Sequence, residues 1–220
     1  MNEMSVKSAA DLLGLSEQRV RALLKVGRID GHKLGSAWIV EGRADLAEPR
    51  PSGRPLGASN AWALLALLSD RDPDWVDPSV RSRLRRWIGE RDIVRLLRES
   101  EPRSEVYRWR VLAADVARIE SLFSLVRSGL SAARAALDIV PIPDLLDAYV
   151  DPDALAEIRR RFRPEVSSSR PNILLRVPVC DWILAFDDAP EPVAAADLLP
   201  HDDPRVSRAA AGSLKRLSDG

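Results

Sequence analysis

Residues 5–27 run Ser5-Val-Lys-Ser-Ala-Ala-Asp-Leu-Leu-Gly-Leu-Ser16-Glu-Gln-Arg-Val-Arg-Ala-Leu-Leu-Lys-Val-Gly27, and their spacing decides how the amino-terminal part folds. Ser5 stands where a serine hydroxyl caps the free N–H groups of a first helix over residues 6–13. Gly14 permits a tight turn and Leu15 plugs the angle between helices. Ser16 caps a second helix from Glu17 to Val26, which Gly27 stops. Val20, Leu23 and Leu24 fall on one face and are expected to pack on Ala9, Leu12 and Leu13. Gln18, Arg19, Arg21, Ala22 and Lys25 fall on the other. Two short helices joined by a glycine turn, the second polar and basic outside, have the shape that enters a DNA major groove.

Outward from this core comes Arg28-Ile-Asp-Gly-His-Lys-Leu-Gly-Ser-Ala-Trp-Ile-Val40. Ile29 and Leu34 on one arm, with Trp38 and Val40 on the other, predict a β-ribbon with a Gly35-Ser36 tip. His32, Lys33 and Ser36 are then placed to reach phosphates. The series Ala9-Ala10-x-x-Leu13-Gly14-x-Ser16, Val20, Leu23, Gly27-Arg28-Ile29, Leu34-Gly35 and Trp38-Ile39 resembles the excisionase and MerR-type winged helix-turn-helix over roughly 40 residues. The resemblance implies that Gln18, Arg19 and Arg21 approach base edges, with Lys25, Arg28 and Lys33 on phosphate. An arginine can fork onto guanine and a glutamine onto adenine. Glu17 departs from the pattern: it orients an arginine, accepts from a cytosine amine, or complements the helix dipole. Residues 16–36 carry five basic side chains against two acidic ones, about +3, although the whole chain is neutral with 33 of each. The alternatives for the same pattern are a helical hairpin in a protein–protein adaptor and a decayed head that has lost DNA.

This head spans 1–48, and a linker follows at 49–59, Pro49-Arg-Pro-Ser-Gly-Arg-Pro-Leu-Gly57 at its centre, which cannot sustain a helix or central strand. Arg50-Pro-Ser-Gly-Arg54-Pro is similar to the Gly-Arg-Pro core of AT-hooks, which lay arginine into a narrow minor groove. Ser52 stands where an arginine is usual there, so the stretch is read as a spacer, with Arg50 and Arg54 kept as candidate DNA contacts. The body, 60–220, reads as mixed helix and strand without strict alternation, hence α+β overall. Helices are expected at 60–68, over 79–99 with a break near Gly89, and at 113–121, 131–136, 151–162, 193–199 and 204–217. Strands are expected at 105–112, 122–127, 147–150, 172–178 and 182–186.

The body offers no catalytic set. His32 and His201 lie far apart in sequence, and one cysteine, Cys180, excludes a disulfide within the chain and a cysteine-rich metal site. No phosphate-cradling Gly-x-x-x-x-Gly-Lys occurs. Ser128-Gly-Leu-Ser131 is read as a strand end and helix cap, and Asp187-Asp188 and Asp202-Asp203 as turn and cap residues. No enzyme activity, cofactor or metal is therefore expected. The opening MNEMSVKSAADLLG lacks an apolar signal core, and no run is long enough to cross a bilayer, so a cytoplasmic protein without a membrane partner is expected.

Charge is uneven. Residues 81–110 hold ten arginines against five acids, and residues 138–204 hold fourteen acids against six arginines, about −8. The arginines either extend a DNA footprint or pair with the acidic end, and pairing is favoured because Trp87 and Trp109 indicate a packed element. The acids form either a solvated surface or a face for a basic partner such as an RNA-binding enzyme. Ser128-Gly-x-Ser-Ala-Ala133, Leu137-Asp138, Ala148-Tyr149-Val150, Asn172-Ile-Leu-Leu-Arg176, Val193-x-x-x-Asp197-Leu-Leu and Asp203-Pro-Arg205 resemble the carboxy-terminal part of type IV (AbiEi-like) abortive-infection antitoxins. That resemblance implies a regulator that represses its own promoter and neutralises a nucleotidyltransferase-like toxin. Rival readings are an excisionase-like architectural protein, a plain transcription factor with an effector or dimerisation body, and an enzyme that the head targets to nucleic acid. A two-fold operator would require a homodimer.

Overall fold

In a computed structural model of the chain, the described residues are 2–13, 16–25, 31–35, 37–42, 55–132, 144–166 and 170–219. They belong to two compact units, Met1–Arg54 and Pro55–Gly220.

The first unit runs β1 (Asn2–Ser5), α1 (Val6–Leu13), α2 (Glu17–Lys25), β2 (Gly31–Leu34) and β3 (Ala37–Gly42). Ser5 caps α1 as its sequence position implied, its Oγ accepting from the Ser8 N–H at 3.0 Å. The Val20 N–H donates to the Ser16 carbonyl at 3.1 Å, which closes the first turn of α2. Val6, Ala9, Ala10, Val20, Leu24 and Val40 make the core, with Met4 and Trp38 packed against it. The strands form one antiparallel sheet in the order β1-β3-β2, so the expected ribbon gains a third strand. Gly31 is required where the hairpin crosses α2, because a Cβ there would meet the Ile39 carbonyl and Leu24 Cδ2. Leu34 is 69% exposed. Strand alternation gives the face shared by Trp38 and Val40 to their partners Lys33 and Gly31 instead. Ile29 and the side chains of Leu12, Leu13 and Leu23 lie outside the described residues.

The second unit opens with α3 (Ala58–Leu68), α4 (Pro78–Glu90), α5 (Ile93–Arg98), β4 (Ser104–Arg110) and α6 (Ala113–Leu122). There follow β5 (Val126–Arg127), a helical turn at 129–132, β6 (Leu146–Tyr149), α7 (Pro152–Phe162), β7 (Glu165–Val166) and β8 (Ile173–Pro178). A 3-10 turn (Asp181–Ala185), α8 (Glu191–Leu198) and α9 (Pro204–Asp219) complete it. The sheet order is β5-β6-β8-β4-β7, and β6 and β8 are the parallel pair, connected through α7. Alternation along the strands sorts side chains onto two faces. Trp109, Leu146, Ala148, Ile173 and Leu175 pack with Val116 and Ile119 of α6 and Ile158 of α7. Val126 and Tyr149 join the opposite cluster, built on Trp62, Leu64, Leu65, Leu84, Ile93, Val193 and Leu214. Helices therefore cover both faces, and the chain is mixed α+β.

Four expectations need correction. Residues 182–186 are no strand but lie in the 3-10 turn and its cap. Their aromatic spacing reflects packing of Trp182 against Phe186 (5.0 Å), Trp75 (5.8 Å) and Trp62 (6.1 Å). The strand expected at 122–127 shrinks to Val126–Arg127, because Leu122 still belongs to α6 and Phe123 ends it. The break expected near Gly89 falls at Arg91-Asp92, where the Asp92 carboxylate caps α5 by accepting from the Arg95 N–H at 3.0 Å. Helix α3 begins at Ala58, inside the stretch read as linker. Residues 133–136 of the helix expected at 131–136 lie outside the described residues.

Candidate nucleic-acid interface

Helix α2 has two distinct faces. Val20 and Leu24 are buried, while Gln18, Arg21 and Ala22 are exposed. Arg21 is held by Glu17: its Nη2 lies 2.6 Å from Glu17 Oε2, with both side chains about half exposed (50% and 43%). Of the roles open to Glu17, orienting an arginine is thus a contact actually formed, and its place in the first turn also meets the helix dipole. Lys33 is exposed on the hairpin, its Nζ 5.5 Å from the centroid of the Trp38 ring, which props the ammonium in place. Gln18, Arg21 and Lys33 are therefore held in one small unit. Arg19 and Lys25 belong to α2, but their side chains lie outside the described residues, as do Arg28, Ser36, Arg50 and Arg54 altogether.

In the body, residues from separate sequence motifs converge on a buried polar network. Asp197 of α8 accepts from Arg103 Nη2 (2.8 Å) and Tyr149 Oη (2.9 Å) through Oδ1, and from Ser128 Oγ (2.7 Å) through Oδ2. Arg176 of β8 forks onto Asp147 of β6 at 2.8 and 3.1 Å and approaches Asp197 at 3.8 Å. The Leu130 N–H also reaches Asp147 Oδ2, at 3.3 Å. Two guanidiniums thus face two carboxylates. Burial works against the Arg176 charge, but Asp197 and Asp147 more than offset this, so it holds its proton more firmly than a free arginine. Burial, reinforced by Asp197, pushes the Tyr149 phenol well above its ordinary range. The carboxylate oxygens are occupied by donors, so the network is suited to fixing α8 and the 128–132 turn on the sheet rather than to proton transfer. Gly129 has φ +45°, and a Cβ there would fall on the Asp147 carboxylate.

Sequence reading singled out Ser128, Tyr149, Arg176 and Asp197 but missed Asp147, Arg103 and Trp62, whose Nε1 donates to the Arg103 carbonyl at 2.9 Å. The available signal was a charge inside each of two apolar strands, since an isolated buried charge is rarely tolerated without a partner.

The other candidates resolve into local pairing. Arg81 and Arg85 both bind Asp72, Arg86 pairs with Glu90, and Arg95 with Glu99. Pairing of the 81–110 segment with the acidic end occurs at Arg103–Asp197. Asp188 binds Arg127 at 2.7 Å, and Asp203 caps α9 by accepting from the Arg205 N–H at 2.8 Å. Among the described residues, no three His, Cys, Asp or Glu side chains gather as a metal site, and no helix is long and apolar enough to cross a membrane. No family model matches the chain, and no curated protein or solved structure is significantly similar to it.

Proposed function

We propose that the protein is a sequence-specific DNA-binding regulator whose head acts as a winged helix-turn-helix. In this reading α2 enters the major groove and the β2–β3 hairpin follows the adjacent backbone. The observation that carries it is the division of α2: Val20 and Leu24 lock it to the core, leaving Gln18 and the Glu17-oriented Arg21 on the exposed face to meet base edges. Lys33 supplies a phosphate contact, joined by Lys25 and Arg28 from the sequence. One such head buries little surface, so a homodimer on a two-fold operator is the expected binding form. The body takes a protein partner, and its likeness to AbiEi-type antitoxins makes that partner a nucleotidyltransferase-like toxin and the operator the protein's own promoter.

The test is selection of bound genomic fragments, followed by fluorescence anisotropy on the enriched site. Arg21→Ala should lose about 1–3 kcal/mol and relax preference at one base position, whereas Lys33→Ala should weaken all sequences alike. Equal binding of every fragment by wild type and both variants would remove the reading. Co-purification from cells tests the partner: a nucleotidyltransferase-like protein supports the antitoxin role, and DNA alone leaves a transcription factor without it.

A further inference from the structure

A cavity of about 320 Å³ opens on one face of the body sheet, between Tyr107 and Trp109 of β4 and Leu155, Arg159 and Arg160 of α7. Its chemistry is two-sided. Tyr107 and Trp109 lie on the same strand face, rings 5.6 Å apart and inclined by 57°. Trp109 is nearly buried and Tyr107 half-buried, so Tyr107 offers the open surface and Trp109 backs it. Leu155 and Arg159 are one helical turn apart, which carries the lining from apolar to cationic along α7. Arg160 is fixed by both Glu157 carboxylate oxygens at 2.6–2.9 Å. The exposed Arg159 guanidinium has no hydrogen bond or ion pair among the described residues. It lies close enough to Tyr107 to oppose the upward pull of Glu105, by hydrogen bond and charge, on that phenol.

Charge singles out the same place. In the acidic stretch 138–204 the six arginines are Arg159, Arg160, Arg161, Arg163, Arg170 and Arg176, and the last is consumed by the buried network. Four of them fall within 159–163, and two of these, Arg159 and Arg160, line the cavity. The carboxyl end of α7 itself carries a partial negative charge, so attraction for an anion must come from these guanidiniums. An aromatic surface next to arginine forks is the pairing that recognises a base and its phosphate.

We propose that this groove binds a nucleotide, its base laid on Tyr107 and its phosphate held by Arg159, with the Glu157-paired Arg160 alongside. The volume is at the lower end for small-molecule sites, enough for one ring system and its phosphate rather than a dinucleotide. The same chemistry is presented by a free mononucleotide and by the 5′-phosphorylated end of a single strand. The proposal is independent of DNA binding by the head.

Isothermal titration of the full-length protein with AMP, CMP, GMP and UMP tests it. Adenosine, inorganic phosphate and a 5′-phosphorylated tetranucleotide serve as the comparison probes. At least one mononucleotide should saturate at 1:1, with adenosine and phosphate each about tenfold weaker or more. Arg159→Ala should weaken binding about tenfold or more, and Arg159→Lys should restore part of it, because the charge returns without the fork. Arg159 is exposed, so an unchanged melting temperature separates loss of binding from loss of fold. Binding of the tetranucleotide alone, lost in Arg159→Ala, assigns the site to a strand end and supports the proposal. No saturation by any nucleotide up to about 10 mM, or binding indifferent to Arg159→Ala, overturns it. Anisotropy of the head's operator on the same preparation keeps that result distinct from any failure of DNA binding.

Discussion

Asp197→Asn removes one charge from a balanced, buried network and leaves the shape of the side chain nearly intact. In the wild type, Arg103 and Arg176 face Asp147 and Asp197 with side-chain exposures of 11%, 10%, 1% and 2%. The amide leaves two guanidiniums against one carboxylate, and breaking a buried pair in this way costs about 3–5 kcal/mol. For a body the size of Pro55–Gly220 each kcal/mol lowers Tm by about 2–4 °C, so a fall of about 6–20 °C is expected. Near-ultraviolet circular dichroism during a thermal ramp reads the transition directly, because Trp62 and Tyr149 meet edge to face, 5.5 Å apart, beside the network. Tyr149→Phe deletes one hydrogen bond to a charged acceptor and should cost less, about 1.5–3 kcal/mol. The decisive comparison is Arg103→Met combined with Asp197→Asn. If charge imbalance is the cause, removing the extra guanidinium should recover much of the loss. A single-variant Tm within about 2 °C of wild type, or a double variant that loses the sum of both singles, would refute the argument.

The remaining predictions probe other contacts. Glu17→Gln releases Arg21 and removes a negative charge from α2, so anisotropy at low salt should show tighter binding to all DNA, by about 2–10-fold, and weaker discrimination among sites. Gly129→Ala should lower the body's Tm by about 2–10 °C, since the residue combines φ +45° with a Cβ placed on the Asp147 carboxylate. Gly89→Ala is its control: open space surrounds that position inside α4, and about 0.5–1 kcal/mol of stabilisation is expected in the same melt. Urea midpoints should fall on the alkaline side. The Cys180 thiol is raised by burial from 9.0, and the Tyr149 phenol by burial and Asp197 from 10.0. Groups raised in the folded state stabilise it fully below their unfolded values and lose that contribution as pH climbs toward the folded ones. The decline therefore begins near pH 9 and steepens above 10, and Tyr149→Phe should flatten its upper part.

Elements whose ends are written locally were legible in the sequence. Ser5 and Ser16 stand at the starts of the helices they bound, and α1, α2, α6 and α7 begin within a residue of the positions read for them. Strand β1 had no such signal: Asn2–Ser5 is a strand because Ser5 pairs with Ile39 and Met4 with Val40, far along the chain. Likewise β7 is two residues, Glu165–Val166, paired with Arg110 and Trp109. Residues 182–186 misled for the converse reason, since large apolar side chains indicate burial but say nothing about hydrogen-bond pairing.

The polar residues of the body show how far linear charge counting goes. The −8 of residues 138–204 leaves a solvated surface and a face for a basic partner both open, and the structure divides those acids by role. Asp147 and Asp197 are buried against Arg176 and Arg103, Asp188 is tied to Arg127, and Asp151 and Asp203 spend their oxygens on helix caps. A carboxylate paired with an internal guanidinium contributes little to the field a partner meets, because its counter-charge lies within a few ångströms, whereas a capping carboxylate keeps its charge but is fixed in direction. The arginines are divided in the same way: Arg176 vanishes into the network, while Arg159 stays exposed with its guanidinium uncommitted among the described residues. Recognition by the body is thus governed by which charges remain unpaired at the surface, and the cavity beside Tyr107 lies next to one of them.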